Sequence, residues 1–98
     1  LWVKVVAPST GDPVAFVPVY LFNHKAAADS AFSDPIKLIS VIAQQTSRKD
    51  GTIFLRNLPV SKYYGVVNIQ DSSFTVKGFG ESGPINPFSI NTLTVEIH

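Results

Sequence analysis

The chain has 98 residues, 45% hydrophobic and 15% charged, with eight Lys and Arg against seven Asp and Glu and no Cys. A chain of this length buries about two-thirds of the surface its unfolded form exposes, which supports one core but not two domains with a cleft between them. The missing cysteines exclude a disulfide framework, a thiolate nucleophile and Cys-based zinc or iron–sulfur sites, and they leave the redox compartment open.

The net charge of +1 comes from basic residues scattered from Lys4 to Lys77, so no concentrated field for nucleic acid is expected. The longest apolar runs, such as 14–22, are shorter than the roughly 20 residues a spanning helix needs, and no direct membrane insertion is expected. The chain opens at Leu1 within one apolar run and closes at His98 after another, so it reads as a processed or excised piece.

Residues 1–7 form a short β-rich stretch, and Pro8, Ser9, Thr10, Gly11, Asp12 and Pro13 then supply turn chemistry. A second strand is predicted over 14–22, with Val17, Val19 and Leu21 on one face and Phe16, Tyr20 and Phe22 on the other. Pro18 cannot donate to a ladder, so it belongs at an edge or a bulge. Residues 23–34 are small and polar, fitting a short helix or an ordered loop. Residues 36–46 suggest a third strand, although Leu38, Ile39, Val41 and Ile42 also fit helical spacing.

Asp50-Gly51 is the strongest hairpin signal in the chain. Strands are predicted at 52–58, 62–70, 74–77 and 89–97. In the fifth, Tyr63, Gly65, Val67 and Ile69 are favoured as the inward set over Tyr64, Val66 and Asn68. In the last, Leu93, Val95 and Ile97 alternate with Thr92, Thr94 and Glu96, as one buried face requires. Seven short strands separated by turns imply a β-sandwich over a single domain, 1–98, with a loop or short-helix insertion at about 23–35.

Two stretches carry a family resemblance. Thr10-Gly11-Asp12-Pro13-Val14-Ala15 followed by Val17, Val19 and Leu21, and Lys49-Asp50-Gly51-Thr52-Ile53-Phe54-Leu55-Arg56-Asn57-Leu58-Pro59 followed by Tyr63 or Tyr64, resemble the motifs of prealbumin-like domains. That group includes the carboxypeptidase regulatory-like domains and the B-type repeats of bacterial collagen adhesins. The resemblance implies an all-β, seven-stranded antiparallel Greek-key β-sandwich, prealbumin-like or Ig-like. Many such adhesin repeats form a Lys–Asn isopeptide bond promoted by a carboxylic acid. Here Val67 or Asn68 stands where the family has its glutamate, so the acid is missing. Lys4 and Asn91 are the remaining pair, against the ordinary reading of a strand lysine as a solvated edge charge.

No residue set supports catalysis, a metal or a cofactor. Gly78-Phe79-Gly80-Glu81-Ser82-Gly83 satisfies G-x-G-x-x-G, but Pro84 and Pro87 preclude the helix a pyrophosphate needs, so a flexible loop is expected. Glu81-Ser82-Gly83-Pro84 faintly resembles a serine-protease nucleophile loop, with only His24 and His98 as bases. His24, Asp29 and Asp34 lack zinc spacing and are too few carboxylates for calcium.

Trp2, Phe16, Tyr20, Phe22, Tyr63 and Tyr64 exceed what one core needs. Either residues 23–40 fold over part of the set or the set is an interaction face. The leading expectation is a non-catalytic structural or protein-interaction module of an extracellular or cell-surface protein, a repeat unit or filament subunit. Its partners would be other protein domains or copies of itself. The alternative is a carbohydrate-binding accessory module of a secreted enzyme, with polysaccharide as partner. A small enzyme, or a ligand site between subunits, comes third.

Overall fold

The computed structural model describes residues 1–8, 10–34, 41–56, 58–70, 73, 75–85 and 91–97. Among these are β1 (Trp2–Val6), β2 (Pro18–Phe22), α1 (Lys25–Ser33), β3 (Ala43–Thr46), β4 (Thr52–Phe54), β5 (Tyr64–Gln70), β6 (Thr75–Glu81) and β7 (Thr92–Ile97). The expected strand positions at 36–40, 74 and 89–90, and the base candidate His98, lie outside the described residues.

The strands form one seven-stranded sheet in the order β3-β2-β5-β6-β7-β1-β4. Laid flat at about 4.8 Å per strand, its outer members would lie about 29 Å apart. Yet the connection from Thr46 to Thr52 contains only residues 47–51, and six Cα steps span at most about 21 Å. The sheet must therefore curl, and it is nearly closed into a barrel. The chain is accordingly all-β apart from one short helix.

One pairing corrects the expectation of a wholly antiparallel sheet: β1 and β7 run parallel, with five registered pairs from Trp2↔Thr92 to Val6↔Glu96. β7 takes its direction from β6, its antiparallel neighbour, and that direction is β1's own.

The main core gathers Val3, Val5, Val17, Val19, Leu21, Ile53, Val67, Leu93 and Val95, the inward members of period-2 patterns on both sides of the curled sheet. β5 is buried on both faces. Tyr63, just before it, and Val67 enter this core, whereas Tyr64 and Val66 face α1. Pro18 is the first residue of β2 and lies beyond the stretch, Tyr20–Phe22, that pairs with β5. Its missing N–H therefore breaks no rung there.

The expected loop at 78–83 is corrected over its first four residues, because Gly78 to Glu81 belong to β6. Gly80 is required sterically, because a Cβ there would sit 1.9 Å from the Thr94 carbonyl oxygen; one on Gly78 would sit 2.8 Å from Ile97 Cδ1, the movable end of a side chain. At the Asp50-Gly51 turn, Gly51 has φ +77 and donates its N–H to the Arg48 carbonyl, 2.9 Å. An L side chain would be strained there.

Residues 25–33 resolve to a helix. Alanine favours it, but nine residues are too few to hold a helix in water alone. Ala28 and Ala31, one turn apart, anchor it on the sheet. Asp34 ends it in an extended conformation, as a residue preceding a proline must.

Candidate interaction surface

Alternation along the strands gives the sheet two outward regions, and both carry aromatic side chains. On β2, β5 and β6 the outward residues are Tyr20, Phe22, Tyr64, Val66, Asn68 and Phe79, and α1 lies across them. The small Ala28 and Ala31 let the helix approach closely, while Phe32 meets the Phe79 ring edge-on at 5.8 Å. Lys77 Nζ sits 5.4 Å from the Phe32 ring centroid.

Asn68, only 8% exposed, donates through Nδ2 to the carbonyls of Ala31 and Phe32, 3.0 Å each. These belong to the last turn of α1, whose carbonyls have no intrahelical donors. Among the described residues the Asn68 Oδ1 is buried without a hydrogen-bond partner.

On β4, β1 and β7 the outward residues fall in rows set by the register. Phe54, Trp2 and Thr92 form one row, and Thr52, Lys4 and Thr94 the next. Val6 and Glu96 follow. The Trp2 and Phe54 rings lie 4.7 Å apart at 39°, and Arg56 Cζ lies 5.3 Å from the Phe54 centroid. Among the described residues no helix or strand packs across these rows.

The six aromatic residues expected to share an interaction face are therefore distributed, and this corrects the single-face reading. Phe22, Tyr64 and Tyr20 are covered by α1, which is the alternative in which residues 23–40 fold over that face. Tyr63 is a core residue, 1% exposed, whose hydroxyl donates to the Pro59 carbonyl four residues upstream. It resembles a tyrosine corner, and burial raises its phenol pKa. Trp2 belongs to the uncovered rows.

Phe16 stands by itself, 71% exposed and at φ +60, a conformation bulky residues avoid. Buried Ser47 holds it there. The Ser47 backbone accepts from Phe16 N–H (2.9 Å) and donates to the Val17 carbonyl (2.8 Å). Its hydroxyl accepts from Val17 N–H (2.9 Å) and donates to the Val14 carbonyl (3.0 Å).

Lys4 and Asn91 are not brought together. Trp2 N–H donates to the Asn91 carbonyl at 2.8 Å, whereas Lys4 pairs with Thr94, three positions further along. That offset is about 10 Å of strand. Lys4 is also exposed, outside the buried apolar setting that such a bond requires. Ser82 is a structural bridge: its hydroxyl accepts from Tyr63 N–H (3.1 Å) and its N–H donates to the Tyr63 carbonyl (2.9 Å). His24 is exposed at the N-cap of α1. No group of three or more metal-ligating side chains occurs among the described residues.

Phe54, Arg56 and the helix-tying role of Asn68 had no local sequence signal, since each depends on a partner far along the chain. Comparison of the chain with protein-family models, curated proteins and solved structures found no match.

Proposed function

We propose that the chain is a non-catalytic structural or protein-interaction module of an extracellular or cell-surface protein, folded as a prealbumin-like β-sandwich and serving as a repeat unit or filament subunit. Three features support the sandwich. Among the described residues β6 and β7 share two registered pairs, Gly78↔Ile97 and Phe79↔Glu96, a short ladder that suits a division into β3-β2-β5-β6 and β7-β1-β4. The two parts face one another across the core: a Cβ on Gly65 of β5 would lie 2.7 Å from a Val95 methyl of β7. The two sequence motifs are the third feature.

The observation that carries the function is the Trp2–Phe54–Arg56 cluster on rows that no element among the described residues covers. Trp, aromatic and Arg side chains are the residues that anchor protein interfaces. Trp2 is also the only tryptophan, so its emission reports on this surface alone. Sedimentation and Trp2 fluorescence, followed from micromolar to millimolar protein, should show association with a blue shift of emission. A monomer whose emission moves neither with concentration nor with added polysaccharide overturns the proposal.

Carbohydrate binding is the second reading, favoured by the Thr52, Lys4 and Thr94 row beside the Trp2 ring. A saturable response of Trp2 to polysaccharide, with no self-association, would select it.

A further inference from the structure

We infer that the open edge of β4 takes an extended, acidic segment of a partner protein as an added strand; this rests on the protein-interaction reading above. The antiparallel register of β1 and β4 fixes which backbone groups point where. Val5 N–H donates to the Gly51 carbonyl, and Leu55 N–H donates to the Leu1 carbonyl, 2.9 Å each. Gly51, Ile53 and Leu55 therefore direct their backbone groups at β1, and Thr52 and Phe54 direct theirs away from it.

At Thr52 these groups are already engaged, its N–H by Asp50 Oδ1 (3.1 Å) and its carbonyl by Arg48 N–H (3.0 Å). Among the described residues Phe54 has no such partner, and β4 is the last strand of the sheet order. Its N–H and C=O thus form an open rung beside the Trp2–Phe54–Arg56 side chains. An open edge of this kind is the template for strand addition, with main-chain bonds giving affinity and side-chain pockets giving selectivity.

Charge selects the partner. Lys4, Arg48, Lys49 and Arg56, four of the chain's eight basic residues, lie on or beside β4 and its neighbour β1. The carboxylates nearby are Asp50, folded back onto the Thr52 hydroxyl at 2.7 Å, and, at the far end of β1, Glu96 and Asp12, the latter next to the Pro13 that bridges to Val6. A segment alternating carboxylates with β-branched residues would meet the cations on one face and the rung through its backbone.

The test is a titration of the ¹⁵N-labelled domain with an end-blocked peptide of alternating Val and Glu, with a Val–Lys peptide and a soluble polyuronate as controls. The Val–Glu peptide should slow Phe54 amide exchange by about tenfold or more, leaving the Val66 amide unchanged. Arg56→Glu should weaken binding by about tenfold. Phe54→Val keeps the N–H and should retain partial binding. Phe54→Pro removes it without touching the β1 rungs and should abolish binding.

Peptide binding with unchanged Phe54 exchange would mean docking through side chains, overturning strand addition while leaving the interaction reading intact. Equal affinity for the Val–Lys peptide, or response to the polyuronate alone, overturns the acidic-segment assignment. Binding of neither peptide overturns the inference, and the sedimentation experiment then judges the interaction reading separately.

Discussion

The two outward regions of the sheet begin from similar material and meet different fates. On β2, β5 and β6, Tyr20, Phe22, Tyr64 and Phe79 are roofed by α1, and Asn68 ties the roof down. On β4 and β1, the Trp2 and Phe54 rings meet at a tilt, with Arg56 over the Phe54 ring and no roof among the described residues. The amino-acid types do not explain the difference. Chain length between strands does: the β2–β3 connection covers residues 23–42 and holds a helix, while the β3–β4 connection covers only 47–51. An aromatic surface on this sheet is thus a core or a contact site according to the connection that passes it.

The sharpest way to break the comparison is to empty each region in turn. Phe22→Ala should cost about 3–5 kcal/mol in denaturant unfolding, since the ring is wholly buried. Trp2→Ala should cost about 1 kcal/mol in the isolated domain, the value of an aromatic pair at a partly exposed site. If the two costs were equal, the uncovered region would be core. Gly80→Ala strikes where β6 meets β7 and should destabilise by about 3 kcal/mol, because the Thr94 carbonyl occupies the space of the methyl group.

Asn68→Ala removes both side-chain hydrogen bonds to the last turn of the helix and should cost about 2 kcal/mol. Hydrogen exchange should quicken across α1 and stay unchanged in β1 and β7. Phe16→Gly relieves a left-handed backbone at an exposed site and should raise stability by about 0.5–1 kcal/mol, readable as a higher unfolding midpoint.

The smallest effect concerns pH. Hydrogen bonds from the Thr52 hydroxyl and N–H, together with Arg48, hold the Asp50 carboxyl below the ordinary carboxylate range. Its contribution is complete above that range and is lost as pH falls through the lowered value. Asp50→Ala should flatten this acid limb of the stability profile.

Much of the fold was legible because period 2 is a local property. The inward sets of β1, β2 and β7 and the Asp50-Gly51 turn follow from residues two apart or adjacent. The same alternation placed Tyr20 and Phe22 together but could not say what lay above them. The glycines at 78 and 80 read as loop punctuation because what they meet, the Ile97 side chain at Gly78 and the Thr94 backbone at Gly80, is a long-range contact with β7. The expected third strand shortened to Ala43–Thr46 within the described residues. Of the candidate surface only Trp2 was picked out, since its pairing with Phe54 depends on a register that spans half the chain.

The parallel pairing of β1 with β7 has a mechanical consequence. The N-terminal end of β1 and the C-terminal end of β7 lie at opposite ends of one ladder, with five registered pairs between them. Tension applied at residues 2 and 97 would load that ladder lengthwise, so its hydrogen bonds would have to yield together rather than one after another. Such a domain resists stretching in the direction a strung repeat would feel it.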